Sequence, residues 1–266
     1  MCFAGSPESN ASGLTRGEAY VSKSKRVVFS RRTLLALAAG TAASALTTHA
    51  NRGFAQGSPL KIGVIGSGRL GGAIGTLLAK AGHPVMFSSR HPDELKKLVE
   101  DAGPNARAGT VEQAAAFGDV VLIAVPYSAL PQVGRDNAKA LAGKVVLNAS
   151  NPIPSRDGDL AKTAQEKGVG EADAEHLPGT RLVRAFNSTG AGRFTSEAHR
   201  SGEKLGVAIA GDDAGAMKIA AQIVRDAGFE PVEVPLARAK EFAPPSPLFG
   251  KAMSVSELRK ALGVNQ

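Results

Sequence analysis

The sequence predicts an α/β fold with a doubly wound, mainly parallel sheet and a small C-terminal α/β extension. Three observations predict it. Short apolar strands alternate with helical segments from about residue 60 onward. Nearly all-apolar runs such as Asp119–Val125 are typical of strands buried on both faces. A glycine-rich turn joins the first strand to the first helix, and right-handed crossovers then make successive strands parallel.

The alternation continues through the body of the chain. The predicted strands are Leu60–Ile65, Pro84–Ser88, Asp119–Val125, Val145–Ala149, Leu182–Phe186, Leu205–Ala210 and Val232–Pro235. The predicted helices are Leu70–Ala81, Asp93–Ala102, Ala214–Ala227 and Ser254–Leu262. Gly82 and Gly228 are typical helix stops, and Asp212 or Asp213 is expected to cap the third helix. We therefore divide the body into a dinucleotide-binding domain at 60–155 and an extension at 156–266 that packs on it.

Residues 1–55 are predicted to be a leader outside the fold. The pair Arg31-Arg32 precedes a weakly apolar stretch, Thr33–Leu46, of 14 residues. A membrane-spanning helix needs about 20 residues, whereas the apolar part of a signal needs about 7–15. This pattern resembles a twin-arginine export signal and predicts a periplasmic or exported protein that meets the twin-arginine export machinery. The alternative is an ordinary basic N-terminal helix on a cytoplasmic protein.

Composition excludes several functional classes. The net charge is +8, but residues 1–55 carry seven of the Lys and Arg residues and two acids, so much of the excess belongs to the leader. With no Trp and 5% aromatic residues, the composition argues against a single-stranded nucleic-acid binder, which needs aromatic stacking platforms. Its one Cys is Cys2, and its five His show no metal-ligand spacing. We expect no bound metal, and no hydrolase motif is present.

The strongest motif is the turn after the first strand. Gly66, Gly68 and Gly71 have the G-x-G-x-x-G spacing of a Rossmann dinucleotide-binding loop. The first glycine permits the tight turn, the second lets a pyrophosphate approach the backbone, and the third lets the helix pack on the sheet. The free N–H groups of the helix start then bind phosphate oxygens. The predicted pyrophosphate-binding residues are Gly66, Ser67, Gly68, Arg69, Leu70 and Gly71; the Arg69 side chain could equally be solvated.

The end of the second strand predicts NADP rather than NAD. NAD-selective sites place an Asp or Glu there to bind the ribose 2′-hydroxyl. This chain instead has Ser88, Ser89 and Arg90. The hydroxyls can donate to a 2′-phosphate and the guanidinium can pair with it. The alternative is a helix start in which Ser89 is the cap and Arg90 is solvated.

These residues resemble the NADPH-dependent coenzyme F420 (deazaflavin) reductases, also described as F420-dependent NADP oxidoreductases. The matching segments extend from about residue 60 to 240. They include Ile65–Gly72, Ala81–Val85, Ser88–Arg90, Val125-Pro126, Asn151-Pro152, Leu177–Gly179, Val183–Asn187, Gly211–Asp213 and Asp226–Phe229.

The resemblance implies direct hydride exchange between the nicotinamide and a deazaflavin- or flavin-like acceptor stacked beside it, with no catalytic acid or base. It implies that Val125 and Pro126 end the fourth strand near the nicotinamide and that Asn151 follows the fifth. Ala185, Phe186 and Asn187 would close the pocket. Each also has a plainer interpretation as a strand end, a turn, a core residue or a backbone partner.

Other functions stay open at this point. The acceptor could be a ferric chelate, a small carbonyl or an imine. Pyrroline-carboxylate reductases and hydroxyacid dehydrogenases share the N-terminal pattern but append a helical domain, whereas this chain keeps alternating strands and helices. A non-catalytic NADP-binding sensor is a further possibility, because the proposed chemistry needs no diagnostic side chain. A homodimer is also compatible with the sequence.

Overall fold

A single sheet organises the part of the chain that the structure, a computed structural model, describes, namely residues 59–264. The sheet has eight strands in the order 3-2-1-4-5-6-7-8. They are β1 (Ile62–Ile65), β2 (Val85–Ser88), β3 (Ala106–Gly109), β4 (Val120–Ile123), β5 (Val145–Asn148), β6 (Arg181–Arg184), β7 (Gly206–Ala210) and β8 (Glu230–Val234). The leader predicted at 1–55 lies outside the described residues.

The first six strands have the Rossmann order and are parallel. β7 joins β6 in the antiparallel sense through Arg184 and Ala210, and β8 is parallel to β7. The predicted Rossmann-type fold with a mainly parallel sheet is confirmed. The C-terminal extension contributes strands to the same sheet, and the boundary at residue 155 stays a prediction.

Helices cover both faces of the sheet. They are α1 (Arg69–Lys80), α2 (Lys96–Ala102), α3 (Val111–Phe117), α4 (Leu130–Asp136), α5 (Ala138–Leu141), α6 (Pro154–Lys167), α7 (Val169–His176), α8 (Ala191–Glu197), α9 (Ala214–Asp226) and α10 (Val255–Leu262). Short 3-10 segments occur at Pro92–Leu95, Tyr127–Ala129 and Leu236–Phe242. No helix in residues 59–264 has the length and apolar character needed to cross a membrane.

The core has two layers because strand side chains alternate between the faces. In β4, Val120 and Leu122 join the cluster under α1, α2, α8 and α9, whereas Val121 and Ile123 join the cluster on the other face. Strands buried on both faces must be apolar throughout, which explains the runs that the sequence shows. Gly63 is required for the close approach of α3, since a Cβ there would lie 2.1 Å from the Ala114 carbonyl oxygen.

Several predicted boundaries are corrected. The helix expected at Asp93–Ala102 begins as the 3-10 segment Pro92–Leu95, and the strand expected at Asp119–Val125 is limited to Val120–Ile123. Asp119 is not part of the ladder; its carboxylate accepts the Lys61 N–H. Of the two cap candidates, the side chain of Asp213 accepts the Ala216 N–H at 2.7 Å and caps α9.

Candidate functional site

A cleft opens at the carboxyl edge of the sheet, where the strand order reverses between β1 and β4. Open α/β sheets bind ligands at this switch point. The cleft has a volume of about 850 Å³, within the usual range for small-molecule sites. Its walls come from the loops after β1, β2 and β4, from the start of α3 and from one face of α4.

The turn from β1 into α1 has the backbone of a phosphate loop. Gly66 has φ of 94°, a left-handed conformation that side chains rarely adopt. A Cβ on Gly71 would lie 2.1 Å from the Gly66 carbonyl oxygen, so this glycine lets α1 close onto the turn. A Cβ on Gly68 would meet no atom within 4 Å, and Gly68 lines the cleft. The first and third glycines are thus required by the fold, and the second leaves space on the cleft side.

The backbone N–H groups at the start of α1 have no side-chain cap, and this arrangement suits a diphosphate. Gly68 is the N-cap of α1 and supplies no side-chain cap, and the first turn holds no acid. The Ser67 hydroxyl is shielded from solvent and has no hydrogen-bond partner among the described residues. Free N–H groups, a shielded hydroxyl and the positive end of the helix dipole fit a pyrophosphate. The exposed Arg69 adds a positive charge at the same place.

The end of β2 separates the three residues predicted to bind the 2′-phosphate. Ser89 and the exposed Arg90 line the cleft, and Arg90 forms no ion pair within residues 59–264. The Ser89 hydroxyl accepts the His91 N–H at 3.0 Å and keeps its own proton to donate. Ser88 is buried and donates its hydroxyl proton to the Val64 carbonyl at 2.8 Å. Ser88 also lines the cleft, but its hydroxyl proton is engaged by the backbone of β1, so the structure does not favour the prediction that this hydroxyl donates to the phosphate.

The far end of the cleft was missed by the sequence reasoning. Its walls are apolar at Leu95, Val111, Ala129 and Val133, and its rim carries Glu112, Gln132, Asp136 and Asn137. The Thr110 and Gln113 side chains form a capping box at the start of α3, and this spacing could have revealed that helix. Nothing comparable marks α4. Val125 and Pro126 also line the cleft, and their place near the ribose and nicotinamide stays a prediction.

A buried polar network lies beneath the ends of β5 and β6. Arg184 is fully buried and forms an ion pair with Asp173 of α7. Its Nη2 donates to the Ser150 carbonyl at 2.8 Å and to Asn151 Oδ1 at 3.1 Å. Asn148 Nδ2 donates to Asp173 at 2.7 Å. Burial raises the pKa of Asp173 and the Arg184 guanidinium opposes that shift, while burial beside Asp173 raises the pKa of Tyr127 and keeps its phenol protonated.

This network also determines where the remaining predicted residues lie. Asn151 follows β5, is partly exposed, and exchanges hydrogen bonds with Asn187: its Nδ2 donates to the Asn187 carbonyl at 2.8 Å, and Asn187 Nδ2 donates to its Oδ1 at 3.2 Å. Ala185 and Asn187 are buried and do not line the cleft. The expectation that they contact the cofactor is corrected, because they lie behind Asn151 and support it.

Phe186 determines the path of the loop that follows β6. Its φ is 58°, a left-handed value for a residue with a large side chain. The ring is buried and packs edge-on against Phe194 and Phe229, with centroid distances of 5.7 and 6.5 Å. The packing holds a backbone turn that costs energy in isolation, and this turn directs Asn187 toward Asn151.

The first part of this architecture matches a known family. Residues 61–152 match the sequence model of the family described as NADP oxidoreductase, coenzyme F420-dependent. This segment, from β1 to the residues after β5, carries the sequence pattern of that family. The family resemblance, the prediction of an enzyme and the prediction of NADP as its coenzyme are thereby confirmed.

Curated proteins similar to this chain include larger proteins. It is 29% identical to metalloreductase STEAP3 of Rattus norvegicus over 185 residues, which is 68% of this chain and 35% of that protein. It is 27% identical to a glycerol-3-phosphate dehydrogenase [NAD(P)+] of Pseudomonas syringae pv. tomato over 135 residues, or 46% and 40% of the two chains. The chain thus spans two fifths or less of the length of these relatives.

Two solved structures resemble the chain over most of their own length. A hypothetical protein from Sinorhizobium meliloti matches with a TM-score of 0.63 at 24% identity, covering 74% of this chain and 95% of the other. A candidate F420-dependent NADP reductase from Arthrobacter sp. FB24 matches with a TM-score of 0.55 at 20% identity, covering 68% and 87%. At these identities the likeness establishes the fold.

Proposed function

We propose that the cleft binds NADP(H) and that the protein transfers a hydride between the nicotinamide and a flat, deazaflavin- or flavin-like acceptor. The observation that carries the proposal is the glycine turn, with Gly68 open to the cleft, next to a β2 end where Ser89 and Arg90 line the cleft and no carboxylate occupies positions 88–90.

The residues of the chain hold and orient the dinucleotide in this proposal. The N–H groups at the start of α1 and the Ser67 hydroxyl bind the pyrophosphate, while Ser89 and Arg90 bind the 2′-phosphate. Val125 and Pro126 form the wall between the two halves. NADPH, when bound, supplies two electrons and a hydrogen as a hydride, and the acceptor then takes a proton from water. The residues act by positioning two rings against each other.

The acceptor is expected at the ends of β5 and β6. Asn151 is the partly exposed polar residue there, and Arg184 and Asn187 fix its amide from behind. A positioned amide with one free N–H can orient a carboxamide or a ring carbonyl without providing an acid or a base. That arrangement suits hydride transfer between the nicotinamide and the ring of the acceptor, which needs orientation and no acid or base.

A ferric chelate is the second candidate acceptor. The similarity to a rat metalloreductase favours it, since it extends over 68% of this chain, beyond the family match at 61–152. Each ferric ion takes one electron, however, so a hydride requires a two-electron carrier between the nicotinamide and the metal. A flavin or deazaflavin could serve as that carrier.

A panel of acceptors tests the reaction. NADPH oxidation is followed at its absorbance maximum with a deazaflavin, FMN and ferric citrate, each alone, and with ferric citrate plus FMN. The proposal expects turnover with the deazaflavin or FMN alone. Turnover with ferric citrate alone would instead support direct metal reduction. Tight NADP binding without turnover on any acceptor would identify a non-catalytic sensor and overturn the proposed reaction.

Arg90→Asp tests the coenzyme preference. We expect the variant to lose at least tenfold in NADP affinity and much less in NAD affinity, because the new carboxylate repels the 2′-phosphate. Lys96→Asp is a matched control, since Lys96 is exposed nearby, carries the same charge and does not line the cleft. Dissociation constants from calorimetry decide the question; equal losses for both coenzymes would remove Arg90 as the selector.

We also propose export by a twin-arginine-like signal, on the sequence of residues 31–46 alone. Replacing Arg31 and Arg32 by Lys should retain the protein in the cytoplasm. N-terminal sequencing of the wild-type product would show cleavage after Ala50 or Ala55, and an intact N-terminus in the cytoplasm would contradict the proposal. Homodimer formation is a further proposal, which sedimentation of the mature protein would test.

A further inference from the structure

A second cleft lies at the opposite edge of the sheet from the cleft at the glycine turn. β7 is antiparallel to β6, so the unit formed by β7, α9 and β8 is inverted relative to the first six strands. Asp213, at the start of α9, pairs with Arg181, the first residue of β6. The ends of β7 and β8 therefore lie at the amino edge of the parallel strands. The second cleft at this edge has a volume of about 490 Å³, within the usual range for small-molecule sites.

The second cleft occupies the place where an open α/β sheet binds ligands, beyond the carboxyl ends of parallel strands. Its walls come from the loop between β7 and α9, from the first turns of α9 and from the end of β8. Met217 and Val234 line it with exposed fractions of 7% and 3%, and the exposed Pro235 extends this apolar surface. The cleft therefore offers contact to a short aliphatic group.

Three exposed charged side chains line the same cleft. Lys218 belongs to α9, Glu233 lies near the end of β8, and Asp212 lies in the loop between β7 and α9. Within the described part of the chain, Lys218 and Glu233 form no ion pair and no side-chain hydrogen bond. Asp212 Oδ1 accepts the Leu236 N–H at 3.0 Å. This bond fixes the carboxylate and leaves Oδ2 for a ligand.

A ligand that satisfies these groups needs a positive group, a negative group and a short apolar body. An ammonium group has three N–H donors, enough for both Asp212 and Glu233, and a carboxylate would pair with Lys218. A free amino acid with an aliphatic side chain carries all three parts on one carbon atom. Asp213 does not compete for the ammonium group, because Arg181 and the Ala216 N–H already occupy its carboxylate.

We propose that the second cleft binds a free aliphatic amino acid. Asp212 and Glu233 bind its ammonium group, Lys218 binds its carboxylate, and Met217 and Val234 contact its side chain. Since each exposed ion pair contributes little alone, recognition requires both charges together with the apolar contact. The proposal is independent of the proposed coenzyme site, because the two clefts share no residue.

Calorimetric titration of the full chain with leucine, isoamylamine and isocaproate tests the proposal. Isoamylamine is leucine without its carboxylate, and isocaproate is leucine without its ammonium group. Leucine should bind roughly fivefold more tightly than either analogue. Lys218→Gln should weaken leucine by a similar factor and leave isoamylamine unchanged, whereas Glu233→Gln should weaken leucine and leave isocaproate unchanged. Lys80→Gln and Glu166→Gln are matched controls, since both residues are exposed and line neither cleft.

Each outcome is decisive. Absence of leucine binding, or equal affinities for the three ligands, overturns the proposal. Unchanged leucine binding by both Lys218→Gln and Glu233→Gln also overturns it, since the ligand then lies elsewhere. Saturating NADP should leave leucine affinity unchanged, and displacement of leucine by NADP would contradict a separate site. The substituted residues are exposed, so the variants should fold, which melting curves check. No outcome requires NADPH turnover, so failure here leaves the proposed function intact.

Discussion

The three glycines of the β1–α1 turn differ in what each one does. Gly71 faces the Gly66 carbonyl so closely that a Cβ has no space, whereas Gly68 borders only the cleft. The same motif therefore combines a packing glycine with a ligand-approach glycine. These two roles predict different phenotypes for the same substitution.

Gly68→Ala and Gly71→Ala test that difference. Gly71→Ala should destabilise the fold by about 1–3 kcal/mol, since the methyl group forces α1 away from the turn. Gly68→Ala should fold with nearly wild-type stability, because φ at Gly68 is −73° and a Cβ there meets no atom, yet lose NADP affinity strongly. Thermal melting and calorimetry together separate the two. Normal NADP binding by folded Gly68→Ala would contradict the assigned pyrophosphate site.

At the scale of elements, two loops of the site are joined by one carboxylate. Asp157, in the first turn of α6, accepts the Ile153 N–H at 3.0 Å and the Ser128 N–H at 3.1 Å, and pairs with Arg156. It thereby ties the loop after β5 to the segment after β4. Burial raises the pKa of Asp157, but Arg156 and the two N–H donors outweigh burial and hold the pKa below its ordinary value.

The lowered pKa gives a pH dependence with a definite sign. A carboxyl whose pKa falls on folding stabilises the protein above its unfolded pKa, and that contribution is lost as pH falls through the folded value. Asp157→Asn should therefore cost roughly 2 kcal/mol at pH 7, with a difference from wild type that shrinks below pH 4. The exposed Asp159→Asn is the control and should change little at any pH. A constant Asp157→Asn penalty between pH 7 and pH 3 would exclude titration as its source.

The Arg184–Asp173 pair joins β6 to α7 without contact with solvent. Arg184→Met leaves Asp173 buried and unpaired and should cost about 3–5 kcal/mol. Asp173→Leu leaves Arg184 unpaired, with a similar cost. The double variant has no isolated charge, so it should be less destabilised than the sum of the single variants. Urea unfolding of all four proteins measures the coupling, and strictly additive losses would show that the two side chains act independently.

The sequence predicted the elements whose signal is local. Apolar runs indicated β1, β4, β5 and β7, and the glycine spacing indicated the start of α1. It did not indicate β3, whose residues Ala106–Gly109 include exposed Arg107 and Ala108 and favour no strand, because that edge strand is specified by pairing with β2. The helices between 130 and 176 were also missed, since half of their buried residues are Ala or Gly and two more are Asp.

In the candidate site, the sequence likewise predicted the positions of the residues but not the directions of their side chains. The sequence placed Ser88, Ser89 and Arg90 at the correct strand end, but period-two alternation decides which hydroxyl reaches the cleft. Ser88 is the last residue of the ladder and turns inward to Val64. The left-handed turn at Phe186 depends on contacts with Phe194 of α8 and with Phe229, which directly precedes β8. Such positions are decided by tertiary packing.

At the scale of the whole molecule, the extension is integrated with the nucleotide-binding half. β6, β7 and β8 continue its sheet, and α9 shares one apolar cluster with α1. His83, in the turn before β2, bonds Asp226 at the end of α9 at 3.0 Å, and its other ring nitrogen contacts the Leu60 backbone. The family model matches residues 61–152, a range that contains neither Asp226 nor β6, the strand that pairs with β5. These contacts therefore join the matched segment to the rest of the described chain.

This integration predicts that residues 59–264 unfold as one cooperative unit. Native-state hydrogen exchange at increasing urea should give the same opening free energy for peptides from β1 and from β7, since both strands contribute to the cluster under α1 and α9. A circular-dichroism transition should coincide with this exchange. His83→Ala should then destabilise both peptides equally, although His83 lies in the nucleotide-binding half. A lower opening free energy for β7 alone would show instead that the extension is an independent domain, and the apolar cluster that spans both halves would then lack the energetic role assigned to it.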